Sequence, residues 1–311
     1  MYQRMLVPLD GSATAEVVFI YAKELAGRLD LEVVLLHVAA PGEDELTPMR
    51  RAYIERAADT VRRQARAVQK GTGVSSGGKP VRVRGELTTG YPAEEILRYA
   101  DEKAVTLILM ATHGGSGVKR WSLGSVADKI LRASKVPVWL IRSRVAEEPI
   151  SDQWTMKTML VPLDGSELAE SVLPHVEILA KQQGAEPIEV VLLRVCEPPA
   201  APIYYGADLA EVPFNWGQFV QQETDRGKKA AKEYLAKIEK RLKDSNISRV
   251  RAEVLVGRAT DTIVDYAKKN PFDLIIMATP GRSGLRRLVY GSVAANVLHG
   301  VSSPIFLVKP G

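Results

Sequence analysis

The chain has 311 residues, 46% of them apolar, and a formal charge of +5 from 42 basic and 37 acidic side chains. That length suits about two domains. The mild charge excess lacks the dominant Lys/Arg block of a nucleic-acid footprint. A single cysteine, Cys196, excludes an internal disulfide framework. No apolar run approaches the roughly 20 residues that span a bilayer, and MYQRMLVPLD carries no signal-peptide pattern. A cytoplasmic protein with no membrane and no nucleic-acid partner is expected.

RMLVPLDGS (4–12) predicts a strand that ends in a turn, and AEVVFIYAKELAGRL (15–29) predicts one helix. VVLLHV (33–38) is a second strand. RRAYIERAADTVRRQARAVQK (50–70) interleaves Arg with Ala, Val and Glu and reads as a helix with one solvated face, an anionic partner being the alternative. GTGVSSGG (71–78) is a loop, followed by a third strand around 81–89. TLILM (106–110) is the fourth strand, SVADKILRAS (125–134) a helix and VPVWLIR (136–142) the last strand. These short Val/Ile/Leu runs suit parallel strands buried on both faces.

The pattern then starts again. TMLVPLDGSELAESVL (158–173) repeats 4–19, VVLLRV (190–195) repeats 33–38, and VRAEVLVGRATDTIV (250–264) repeats 81–97. DLIIMATPGRSG repeats TLILMATHGGSG, and SPIFLVK (303–309) repeats VPVWLIR. Two domains are expected, at 1–145 and 155–311, with a polar linker at 146–154. Alternating strands and helices imply an α/β fold: two tandem doubly wound parallel sheets of five strands each. One stretch, CEPPAAPIYYGADLAEVPFNWGQF (196–219), has no counterpart in the first half. It reads as a loop that packs its aromatics on its own domain, covers a ligand or meets another subunit.

The chemistry sits in ATHGGSGVKRWSLGS (111–125) and ATPGRSGLRRLVYGS (278–292). Each follows an apolar strand and precedes a helix. Gly114 and Gly124 let backbone N–H groups approach a ligand. The helix beyond Gly124 offers free N–H groups and a partial positive charge, and Ser125 adds a hydroxyl at the expected cap. A phosphate cradle results, repeated with Gly281, Gly291 and Ser292. Asp10 and Asp164 directly follow the first strand of each half, where an open parallel sheet binds ligands beyond its carboxyl edge. A carboxylate there suits ribose hydroxyls or a base amino group. The alternative is structural: Asp or Ser of LDGS caps the next helix.

Together VPLDGS, GxPAxxI and the Gly-x-x-Gly-x9-Gly-Ser phrase resemble the universal stress protein family. The resemblance covers nearly the whole chain twice. It implies an adenine-nucleotide alpha-hydrolase-like fold, two units paired as a pseudo-dimer through PVWLI (137–141) and PIFLV (304–308), and the possibility of a further homodimer. It implies binding of ATP, or of AMP or ADP, with Mg present only through the phosphates, and no defined reaction. Carried over residue by residue, the adenosine side comprises Pro8, Leu9, Asp10 and Val38, then Pro162, Leu163, Asp164 and Val195. Met110, Ala111, Met277 and Ala278 flank the nucleotide at the strand exits. The phosphate side comprises His113, Gly114, Gly117, Gly124, Ser125 and Val126, then Gly281, Arg282, Gly284, Gly291, Ser292 and Val293. Ala111 and Ala278 stand where the family has glycine. A backbone with positive φ there would make the methyl costly by about 1 kcal/mol or more. Pro280 replaces His113 and removes a donor.

GVSSGGKP (73–80) fails as a P-loop because Pro80 and a strand follow it. HGGSG lacks a partner nucleophile elbow, and no metal-ligand spacing links His37, His113, His175 and His299. Three classes remain: a nucleotide-binding stress regulator, a slow ATPase or nucleotidyl transferase, and a ligand-free scaffold.

Overall fold

The computed structural model describes residues 2–42, 44–72, 80–112, 123–142, 154–182, 187–200, 215–279 and 291–309. The first half runs β1 (Arg4–Leu9), α1 (Ala13–Glu16), α2 (Phe19–Arg28), β2 (Glu32–Ala39), α3 (Thr47–Gly71), β3 (Arg82–Thr89), α4 (Pro92–Glu102), β4 (Leu107–Ala111), α5 (Ser125–Ala133) and β5 (Val138–Ile141). The second runs β6 (Thr158–Pro162), α6 (Glu167–Glu170), α7 (Leu173–Ala180), β7 (Glu189–Cys196), α8 (Trp216–Asp244), β8 (Val250–Val256), α9 (Ala259–Lys269), β9 (Leu274–Ala278), α10 (Ser292–Gly300) and β10 (Ile305–Val308).

The strands lie in the order β3-β2-β1-β4-β5-β10-β9-β6-β7-β8. Every pairing within a half is parallel, and β5 meets β10 antiparallel, with Phe306 opposite Trp139. The two five-stranded parallel sheets are thus continuous. Alternate strand residues feed two cores. Met5, Val7, Val33 and Leu35 face α2 and α3, while Leu6, Val34 and Leu36 face α4 and α5. Both faces are covered, which is why the strands read as unbroken apolar runs rather than alternating ones.

Two expectations change. The helix expected over 15–29 is two helices, α1 and α2, with a tight turn at Val17–Val18 in which the Val18 N–H reaches Ala15 O. The second half breaks at the same place, Ser171–Val172, so the break belongs to the fold rather than to one sequence. The loop expected over 196–219 is shorter. β7 runs to Cys196, and α8 begins at Trp216, capped by Asn215, whose Oδ1 accepts from the Gln218 N–H at 3.1 Å. Residues 201–214 of that stretch lie outside the described residues.

An aromatic cluster lies across the join. Trp139 of β5 and Phe306 of β10, both wholly buried, pack edge to face at 5.6 Å. Tyr21 of α2 stacks on Trp154, the residue that leads into the second half, at 4.4 Å. Tyr2, which leads into the first half, packs on His175 of α7 at 5.7 Å, and its hydroxyl is hydrogen-bonded to His175 Nδ1 at 2.5 Å. Each half's entry residue therefore rests on the other half. A second exchange lies just past the two central strands. Arg142 donates to Leu298 O at the end of α10. Lys309 donates to Arg132 O and Ser134 O at the end of α5, at 3.0 and 3.1 Å. Cations suit helix C-termini, where carbonyls lack partners.

Candidate functional site

The crest of the first half is built by the turn after β1. Gly11 holds φ +85°, a left-handed conformation that glycine adopts without strain. Asp10 Oδ1 accepts from the Ser12 N–H at 3.0 Å and from the Ser12 hydroxyl at 2.6 Å. Ser12 Oγ in turn accepts from the Ala15 N–H at 3.1 Å and caps α1. The second half repeats each bond with Asp164, Ser166 and Ala169 at 2.9, 2.6 and 3.1 Å, around Gly165 at φ +82°. The capping duty falls to the serine, not the aspartate. Asp10 uses one oxygen to hold the turn that presents its carboxylate at the end of β1.

Next to that turn, β4 ends at Ala111, and Thr112 follows, its N–H bonded to Ile141 O at 2.8 Å. At Gly124 the backbone N–H donates to Thr112 O at 2.9 Å. Gly124 is the N-cap of α5 and Ser125 its first helical residue. This corrects the expectation that Ser125 is the cap. The correction matters chemically: a glycine cap offers no side-chain oxygen, so the first N–H groups of α5 keep their demand for an acceptor.

Between these parts lies a cavity of about 290 Å³. Nine of the expected residues line it: Pro8, Leu9, Asp10 and Val38 from β1 and β2, Met110 and Ala111 from β4, and Gly124, Ser125 and Val126 from α5. His113, Gly114 and Gly117 lie outside the described residues. Ala15, Leu36, Pro92, Ile96, Thr112 and Ala127 also line it and were not expected. Leu36 follows from Val38 by the two-residue period of a strand. Pro92 and Ile96 come from α4, on which the glycine phrases are silent.

Ala111 and Ala278 end β4 and β9, and neither has positive φ. Their methyls carry no left-handed strain. In the second half Pro162 ends β6 and Leu163 and Asp164 follow it, Val195 lies on β7 and Met277 on β9, while Gly291 caps α10 and Ser292 and Val293 start it. Gly281, Arg282 and Gly284 lie outside the described residues, as does Pro280. The two caps differ. Gly124 has φ −63°, ψ 151°, and Gly291 has φ +72°, ψ 146°.

Behind each aspartate turn, on the α3 or α8 side, stands a tyrosine. Burial, reinforced by Glu16, pushes the Tyr53 phenol above its ordinary range, and burial with Glu170 does the same to Tyr234. Both stay protonated at neutral pH. His37 packs edge-on to Tyr53 at 6.0 Å, and its counterpart Arg194 lies over the Tyr234 ring at 5.6 Å. These side chains back the turns from the face opposite the cavity.

The universal stress protein family model matches residues 1–142 and 155–309. The chain belongs to this family. A universal stress protein, YxiE, of Bacillus subtilis is 31% identical over 148 residues, spanning 46% of this chain and all of that one. A universal stress protein of Mycolicibacterium smegmatis is 21% identical over 312 residues, spanning 98% of this chain and 97% of that one. The crystal structure of a universal stress protein from Archaeoglobus fulgidus superposes with a TM-score of 0.63 over 99% of this chain and 98% of that one, at 20% identity. The two matched regions and the full-length relatives agree with a tandem arrangement of universal stress protein units. No described helix is long and apolar enough to cross a membrane.

Proposed function

We propose that this universal stress protein binds an adenine nucleotide, ATP or its ADP and AMP relatives, in the crevice at the ends of β1 and β4, and acts as a sensor or regulator. The observation that carries the reading is one cavity with a carboxylate turn on one wall and a glycine-capped helix N-terminus on another. Asp10 accepts hydrogen bonds from ribose hydroxyls or the base amino group. The α5 N-terminus takes the phosphates, because its N–H groups and dipole favour negative charge. Leu36, Val38, Met110 and Ile96 supply the apolar walls that a purine ring covers. Magnesium enters only with the phosphates. The second half offers the equivalent set around Asp164, Gly291 and Ser292, in a unit that we place at 155–311, with the first at 1–145.

Isothermal titration of the purified chain with ATP, ADP and AMP tests this, with Gly124→Val and Gly291→Val beside it. The expected result is micromolar affinity, about −8 kcal/mol, lost one site at a time. No binding heat, with circular dichroism intact, overturns the reading and leaves a scaffold that works through protein contacts. Release of phosphate from ATP with turnover would move the protein to the ATPase class.

A further inference from the structure

Helix α3 carries seven basic residues against two acidic ones, an excess of five that equals the formal charge of the whole chain. The excess is exposed and largely unanswered. Arg51, Arg56, Arg63, Arg66 and Lys70 are all exposed. None of the five forms an ion pair among the described residues, whereas Arg62 holds Asp59 at 2.7 Å. At 3.6 residues per turn, Arg56, Arg63, Arg66 and Lys70 fall within about 80° of one another. They form a stripe about 21 Å long at 1.5 Å per residue. Asp59 is the acid inside the stripe and is the one Arg62 neutralises; Glu55 stands at its margin.

The second half serves as an internal control for what the fold alone requires. The buried residues Ile54, Ala57 and Val61 of α3 correspond to Leu235, Ile238 and Leu242 of α8, so the two helices do the same packing job. Yet five basic residues of α8 have acidic partners: Arg226 with Glu223, Lys228 with Asp225, Lys240 with Asp244, Arg241 with Glu177 and Lys243 with Glu239. In that register Arg63 has an acid, Asp244, opposite it and Arg56 has Lys237; Lys229, Lys232 and Lys237 of α8 form no ion pair among the described residues. The second half thus covers the sheet with three unpaired cations on α8 against five on α3, and with an acid where α3 has Arg63.

We infer that the outer face of α3 docks on the phosphate backbone of a duplex nucleic acid. Three of the four stripe cations are arginine, whose planar fork matches phosphate oxygens two at a time. Between Arg56 and Lys70 the interleaved exposed residues are Asp59, Gln64 and Ala67; exposed Leu46 and Met49 lie only at the helix start, short of the apolar row that would seat a helix in a lipid interface. A cationic row along one helix with no base-reading aromatics predicts contact without sequence preference. This replaces the expectation of a merely solvated face and of no nucleic-acid partner.

The test is fluorescence anisotropy of a labelled 20-base-pair duplex DNA with the full chain, at 20–200 mM salt. Four phosphate contacts predict a log–log salt slope near −3.6, about a hundredfold loss of affinity from 50 to 200 mM. The slope should be alike for unrelated sequences. The variant Arg56→Gln/Arg63→Gln/Arg66→Gln/Lys70→Gln changes exposed side chains only, and its circular dichroism confirms the fold. It should lose binding at every salt. Absence of duplex binding at 20 mM salt overturns the proposal, and so does a variant that keeps the parent slope. Phosphatidylserine vesicles form the control arm: binding to vesicles without binding to duplex assigns the stripe to a lipid surface and also overturns it.

Discussion

The two cap glycines show how much a single dihedral angle decides. Gly124 at φ −63°, ψ 151° has a backbone that any L-residue adopts, whereas Gly291 at φ +72° does not. Gly124→Ala should cost only about 0.5–1 kcal/mol in stability, because alanine is a poorer N-cap than glycine but its methyl meets no dihedral penalty there. Gly291→Ala should cost about 1–2 kcal/mol. Urea unfolding of the two variants measures the difference, and equal midpoints would contradict it. The same dihedral reasoning answers the substitution at 111 and 278: the sequence shows alanine for glycine, but only the backbone shows that the position ends a strand. His175 makes a second residue-scale case. Its identity in the sequence points to nothing, since its role depends on Tyr2, 173 positions away.

Elements were legible where periodicity was strong. The apolar runs marked eight of the strands directly, and the third strand of each half followed from the repeat. VPLDGS and the glycine phrases, carried over through the family resemblance, pointed to nine of the cavity's lining residues. What stayed hidden is tertiary. Nothing in AEVVFIYAKEL marks the turn at Val17–Val18, and α8 could begin at Trp216 only because Asn215 supplies a cap within a stretch otherwise rich in proline. The joining of β5 to β10 was expected from the family resemblance, through 137–141 and 304–308, but no local pattern reports the packing beneath it. Phe306 is wholly buried there, against Tyr2, Trp139 and His175. Phe306→Ala should cost about 3–5 kcal/mol, the transfer term plus the cavity left behind. Thermal and urea unfolding read that loss. A loss below about 1 kcal/mol would show that the join contributes little.

At the scale of the whole molecule, the halves are fastened partly by a titratable contact. Burial lowers the His175 pKa to about 4, against about 6.5 in an unfolded chain. Titratable or charged side chains are scarce around it: Tyr2 is its hydrogen-bond partner, and Phe306 is the ring packed against it. The unfolded state thus binds the proton first. Stability is full above pH 6.5, falls as pH drops through the window from 6.5 to 4, and levels off below it, for a total of about 3 kcal/mol. His175→Phe should flatten that part of the stability profile while leaving the neutral-pH value within about 1–2 kcal/mol. Tryptophan fluorescence followed through urea unfolding at several pH values checks it, with Trp139 and Trp154 as reporters beside the join. A parent profile without this slope would show that the imidazole meets solvent.

The exchanged cations have a consequence for how ligand binding is measured. The helix that offers its N-terminus to one crevice, α5, is gripped at its other end by Lys309, which follows β10. Arg142 grips α10 in return, from beyond β5. Neither helix belongs mechanically to one half. A shift of a helix toward its ligand strains a carbonyl that the opposite half is holding. With both crevices binding nucleotide as proposed, any free energy passed along these grips would be the same whichever filled first.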